Sequence, residues 1–119
     1  MKRNRRRGII ELPALAVLIL GGALAIAADK GDAQKGKTLF EQNCVVCHGA
    51  KGKGDGPTGK LLVPPPADLT SARTGKRSDA EIVQIITNGK PPSAMPVFKE
   101  QLSKQQILDA VAYVRNLGR

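Results

Sequence analysis

The pentapeptide Cys44-Val45-Val46-Cys47-His48 constrains this chain more than any other stretch. Two thiols at this spacing can add across the two vinyl groups of a haem, and the adjacent imidazole then stands over the iron on one face. The same residues are the whole supply of soft ligands, because Cys44 and Cys47 are the only cysteines and His48 the only histidine. A structural zinc site needs four nitrogen or sulfur ligands and finds three here. A thioredoxin-like redox pair follows a strand in a βαβ unit, whereas the residues before Cys44 read as helix. The pentapeptide therefore reads as the attachment site of one covalent haem c, and it consumes both thiols, leaving none for a disulfide.

Composition fits a domain completed by a cofactor. At 119 residues the chain is one small domain, and it has three aromatic side chains, Phe40, Phe98 and Tyr113, and no Trp. A core of side chains alone would be thin at this size, and a buried porphyrin would supply the missing apolar centre.

The N-terminus reads as an export signal. Residues 1–8 carry five positive charges, and residues 9–28 are almost wholly apolar, interrupted near the basic end by Glu11 and Pro13. A basic head and apolar body direct translocation with the basic end left inside. Ala25-Ile26-Ala27 offers the small-x-small pattern for cleavage, which divides the chain into a signal segment, residues 1–27, and a domain, residues 28–119. Uncut, the twenty residues of 9–28 suffice to span a bilayer as an anchor and would associate the domain with the membrane. Either way the domain is expected in the periplasm or another extracytoplasmic space. The arginine flanks Asn4 and Gly8 fit a twin-arginine signal poorly.

Removal of residues 1–27 leaves 14 Lys plus Arg against 9 Asp plus Glu, a net charge near +5 before haem. The charges are spread singly and without aromatic interleaving, which argues against a nucleic-acid surface. Most read as solvated face. Lys51, Lys53, Lys60, Lys90 and Lys99 fall in loops expected around the haem crevice, where they would steer an acidic redox partner protein.

Along the domain, Asp32 caps a helix over residues 33–43. Gly36 inside it costs about 1 kcal/mol relative to Ala, which makes sense where another helix crosses closely on the face shared with Phe40. After His48, glycines at 49, 52, 54, 56 and 59 mark a run of turns, and Pro64, Pro65 and Pro66 hold the following apolar stretch extended. A proline carbonyl there is expected to accept the ring N–H of His48 and fix its tautomer. Ser78-Asp-Ala-Glu81 is a capping box opening a helix that Asn88-Gly89 stops. Ser103-Lys-Gln-Gln106 opens the last helix, whose apolar face is the partner for the notch at Gly36. Between them, Pro91, Pro92 and Pro96 hold Met95 in a stiff loop. Met1 is the only other methionine and would leave on cleavage, so a thioether ligand opposite His48 is available from Met95 alone.

Taken together these stretches resemble the small class I monohaem cytochromes c of bacterial type, over about residues 32–117. The resemblance rests on Gly36 and Phe40 before the pentapeptide, Gly52-Lys-Gly-Asp-Gly-Pro57, Ile86-Thr-Asn-Gly89, Met95-Pro96 and Ala110-Val-Ala-Tyr-Val-Arg115. It implies an all-α cytochrome c fold of three to four helices and long loops around the haem. It also implies thioethers at Cys44 and Cys47, His48 as proximal and Met95 as distal iron ligand, and Gly36 and Phe40 meeting the Ala110 to Val114 face.

With both axial positions filled the iron exchanges electrons by an outer-sphere route, which implies an electron carrier, or the electron-transfer subunit of a larger oxidoreductase, rather than an enzyme in its own right. No catalytic dyad or triad is evident. The rival class is a haem domain with an open distal site, a gas sensor or peroxidase-like enzyme, which carbon monoxide binding to the reduced protein would reveal.

Overall fold

The computed structural model describes residues 29–119 together with Gly22; the export or anchor segment expected at residues 1–27 lies outside the described residues apart from Gly22. Among the described residues five helices follow in order: α1 (Ala33–Asn43), α2 (Val45–His48), α3 (Ala72–Gly75), α4 (Asp79–Asn88) and α5 (Lys104–Leu117), with a 3-10 turn at Gly59–Leu61 between α2 and α3. Among the described residues there is no strand. Among them also, no helix is long and apolar enough to cross a membrane. The three long helices are those the capping signals mark. The single turns α2 and α3 raise the number above three or four, because four residues are too few to show a helical period.

Each long helix starts where side chains satisfy its free N–H groups. Asp32 Oδ1 accepts from the Gln34 and Lys35 amides at 2.9 and 3.2 Å. Ser78 with Glu81 and Ser103 with Gln106 form reciprocal capping boxes on α4 and α5. Gly89, with φ at 70°, takes a left-handed turn that ends α4.

The core lies where α1 crosses α5 and where α4 packs on α5. Its buried apolar side chains are Phe40, Ile82, Phe98, Ile107, Ala110, Val111 and Val114. Phe40, 1% exposed, stacks tilted on Tyr113 with ring centroids 5.2 Å apart. A Cβ at Gly36 would overlap the Asp109 carbonyl and lie 2.9 Å from Tyr113 Cβ, so only glycine lets the helices approach this closely. The notch therefore meets Asp109 and Tyr113, opening one residue earlier on α5 than the expected Ala110 to Val114 face.

Two polar residues of α5 fasten the rest. Asp109 is 3% exposed, and its Oδ1 accepts from the Asp32 amide at 2.8 Å and from Gln105 Nε2 at 2.9 Å. Arg115 donates from Nε to Asp79 Oδ1 at 2.7 Å, from Nη1 to the Thr74 carbonyl at 3.4 Å, and from Nη2 to the Arg77 carbonyl. One side chain thus holds α3 and the start of α4 against α5.

Candidate haem site

The pentapeptide continues α1 by one further helical turn. The Cys47 and His48 amides donate to the Cys44 carbonyl at 3.2 and 2.8 Å, so Cys44 and Cys47, three residues apart, share one side of the turn. Both thiols are free and half-buried. Burial first, and the neighbouring Cys47 second, push the Cys44 thiol up to about 11.

His48 is oriented by a hydrogen bond to the backbone. Its Nδ1 lies 3.1 Å from the Ala67 carbonyl oxygen. A carbonyl can only accept, so Nδ1 carries the proton and Nε2 keeps its lone pair for a metal. The acceptor is Ala67 and not one of the expected proline carbonyls. Pro66, immediately before it, turns its carbonyl toward Gly54, where an added Cβ would lie 2.5 Å away. Burial lowers the imidazole's affinity for a second proton, and the bond to Ala67 opposes that shift.

The loop after His48 wraps back on the pentapeptide through its backbone. Amides of Gly54, Gly56 and Thr58 donate to the carbonyls of His48, Cys47 and Val46 at 2.7, 3.1 and 2.9 Å, and the Leu69 amide donates to Gly52 at 2.6 Å. At Gly59 a Cβ would overlap the Cys47 carbonyl, so a side chain there would displace the turn that carries the thiol.

Met95 comes from a different segment. It is half-buried, and its amide faces Ser93 Oγ at 3.4 Å. The chain beyond it returns to α4, where Phe98 and Lys99 amides donate to the Ile86 and Thr87 carbonyls at 3.2 and 3.3 Å. The Met95 loop is thus tied to the C-terminal end of α4.

The residues present fit a haem. Two thiols on one side of a turn and an imidazole whose Nε2 keeps its lone pair are donors of the kind a covalent haem takes. From residue 44 to residue 73 the only buried residues are Gly49, Gly52, Gly56 and Gly59, while Leu61 and Val63 are 83% and 96% exposed and Val46 is half exposed. This part of the chain has apolar side chains and no apolar core of its own, which a flat apolar cofactor would provide. Among the described residues no group of three or more His, Cys, Asp or Glu is placed to hold a bare metal ion. Two surface hollows, of about 270 Å³ beside Leu69, Thr74, Val114 and Arg115 and about 330 Å³ beside Arg77, Gln84, Ile85 and Lys90, are lined by none of Cys44, Cys47, His48 or Met95.

Sequence reasoning had no role for Asp109, Arg115 or Thr74 as fasteners. The available signal for Asp109 was a carboxylate interrupting the apolar face of α5, between Leu108 and Ala110.

An all-helical domain whose reactive residues are two thiols and an imidazole on one turn defines a c-type haem domain, a device for electron transfer. The chain belongs to the cytochrome c family, whose model matches residues 33–118. It is 38% identical over 107 residues to cytochrome c6 of Synechocystis sp. (strain ATCC 27184 / PCC 6803 / Kazusa), covering 88% of this chain and 82% of that protein. It is 35% identical over 92 residues to the cbb3-type cytochrome c oxidase subunit CcoP of Azospirillum brasilense, covering 77% of this chain but only 30% of that subunit. The solved cytochrome c6 of the diatom Phaeodactylum tricornutum superposes with a TM-score of 0.57 at 30% identity, over 74% of this chain and 95% of that one. The family carries covalent haem c and transfers electrons. The expected all-α class and covalent cofactor are thereby borne out.

Proposed function

We propose that this domain is a one-electron carrier, or the electron-transfer part of a larger oxidoreductase, working in the periplasm or an equivalent space, with Cys44 and Cys47 as covalent tethers and His48 and Met95 as axial ligands. The observation that carries the ligand assignment is the bond from His48 Nδ1 to Ala67, which leaves Nε2 as the ring's free donor. The Met95 assignment is supported by its being the only methionine between residues 2 and 119 and by its half-buried place in the loop tied to α4. When bound, the haem supplies an iron that alternates between ferric and ferrous states. The chain's own contribution is to hold the donors in place through the turn at residues 44–48 and the loop at residues 90–99, and to exclude water with the apolar side chains around them. Export or anchoring by residues 1–27, leaving a domain over residues 28–119, completes this reading.

Replacing Met95 tests it. Met95→Ala is expected to turn a low-spin ferric spectrum high-spin and to open the reduced iron to carbon monoxide. An unchanged ferric spectrum in the variant would remove Met95 as a ligand and favour the open-site class.

The partner is proposed to present an acidic surface. Lys51, Lys53, Lys60, Lys90 and Lys99 are all exposed. If they steer association, the bimolecular rate with an acidic redox partner falls as salt rises, because the Debye length shrinks from ~30 Å at 0.01 M to ~10 Å at 0.1 M. A stopped-flow rate independent of ionic strength would leave apolar contact as the mode of docking.

A further inference from the structure

The Ala67 carbonyl that orients His48 belongs to the peptide unit between Ala67 and Asp68, and Asp68 is gripped from both ends. Its Oδ1 accepts from the Thr70 amide at 2.8 Å and from Thr70 Oγ1 at 2.6 Å. Its carbonyl accepts from Ser71 Oγ at 2.7 Å and from Thr74 Oγ1 at 3.0 Å. Thr74 is buried, and its own carbonyl receives Arg115 Nη1 from α5. With side chain and carbonyl both pinned, Asp68 has little freedom to rotate, so the direction of the Ala67 carbonyl is fixed relative to α5.

The geometry points to Asp68 and Thr74 as positioning residues of the iron's histidine: they set the strength of the His48 Nδ1–H bond to Ala67, and through it the reduction potential. The inference rests on the proposed ligation by His48. A stronger bond from Nδ1 makes the imidazole a more electron-rich donor, which stabilises ferric iron; a slacker one favours ferrous iron and raises the potential. The side-chain hydrogen bonds of both residues go to backbone and hydroxyl groups of residues 68–74, so they act through the backbone they hold.

The test uses the full holoprotein and four variants. Thr74→Val removes the hydroxyl while keeping the volume, and Asp68→Ala removes the carboxylate. Thr74→Ser and Asp68→Asn restore the hydrogen-bonding atom in each case. Spectroelectrochemistry and the proton resonance of His48 Nδ1–H in the ferrous protein are the readouts. Thr74→Val and Asp68→Ala are expected to raise the reduced-to-oxidised ratio at a fixed applied potential by about three- to tenfold, tenfold being ~59 mV for one electron. They should also move the Nδ1–H resonance upfield, while Thr74→Ser and Asp68→Asn stay close to wild type. Should Thr74→Val not accumulate as folded protein, Asp68→Ala on the half-exposed side carries both readouts. Potential and resonance equal to wild type, with only the denaturation midpoint lowered, would reduce the cluster to scaffold and overturn the inference. Ligation by His48 is tested separately by its own variant: a His48→Ala protein with the wild-type optical spectrum would overturn the ligation, whereas a changed spectrum there with unmoved potentials in the Asp68 and Thr74 variants overturns this inference alone.

Discussion

The helices α1, α4 and α5 and the segment from residue 44 to residue 72 are held together in opposite ways. The helical half buries apolar side chains, Phe40 on Tyr113 and Ile107, Val111 and Val114 along α5, and closes its helix ends with Asp32, Ser78 and Ser103. The loop half buries glycines and leaves Leu61 and Val63 in water, and it keeps its shape through backbone bonds from Gly54, Gly56 and Thr58 to the pentapeptide. A half with its own apolar contacts is stabilised by the hydrophobic effect within the chain, whereas a half without them depends on the cofactor for that contribution. The proposed tethers Cys44 and Cys47 and the proposed ligand His48 lie in the second half, whose apolar side chains are left exposed by the chain itself.

Removing the tethers should separate the halves most. In Cys44→Ala with Cys47→Ala, amides of residues 44–72 are expected to lose protection, with local opening free energies falling to ~0 kcal/mol, while those at the α1–α5 crossing keep more. Hydrogen-exchange mass spectrometry checks this. A loop half that stayed as protected as in the holoprotein would break the comparison, since its order would then not depend on the haem.

A matched pair of substitutions sharpens it. Gly36→Val drives new atoms into the Asp109 carbonyl and Tyr113, and Gly59→Val drives them into the Cys47 carbonyl. Overpacking of this kind costs about 1–3 kcal/mol in each case. The Gly36 variant should lower only the denaturation midpoint, and the Gly59 variant should also alter the haem absorption spectrum. A midpoint for Gly36→Val equal to wild type would mean that the helix crossing is not tight.

The smallest effect is electrostatic and appears in both halves. Hydrogen bonds from Ser78 hold the Glu81 carboxyl below its ordinary value of 4.5, and hydrogen bonds from Thr70 hold Asp68 below 3.8. Because the folded values lie below the unfolded ones, these contributions are fully present above the ordinary values and are lost as the pH falls through the folded ones. Acid titration below about pH 5 is therefore expected to loosen the start of α4 and the turn at residues 67–70. Glu81→Gln should flatten the response of α4 alone, as followed by the amide shifts of residues 78–82. A titration of α4 unaltered by Glu81→Gln would remove the capping box as its origin.

Local chemistry made much of this legible in the sequence. The proposed attachment site was legible because Cys44, Cys47 and His48 are neighbours at the spacing a covalent haem takes. The ends of α1, α4 and α5 were readable because Asp32, Ser78, Ser103 and Gly89 act on backbone within a turn of themselves. Gly36 and Phe40 marked the crossing face for the same reason, being four residues apart on one helix. Tertiary structure decided which distant atoms those features meet. That Gly36 opposes Asp109, that Ala67 accepts from His48, and that Arg115 joins α3 and α4 to α5 depend on contacts across 19 to 73 positions. No local propensity encodes such pairings, because a carbonyl or a buried carboxylate acquires its partner only when the packing of apolar faces has fixed where the chain returns.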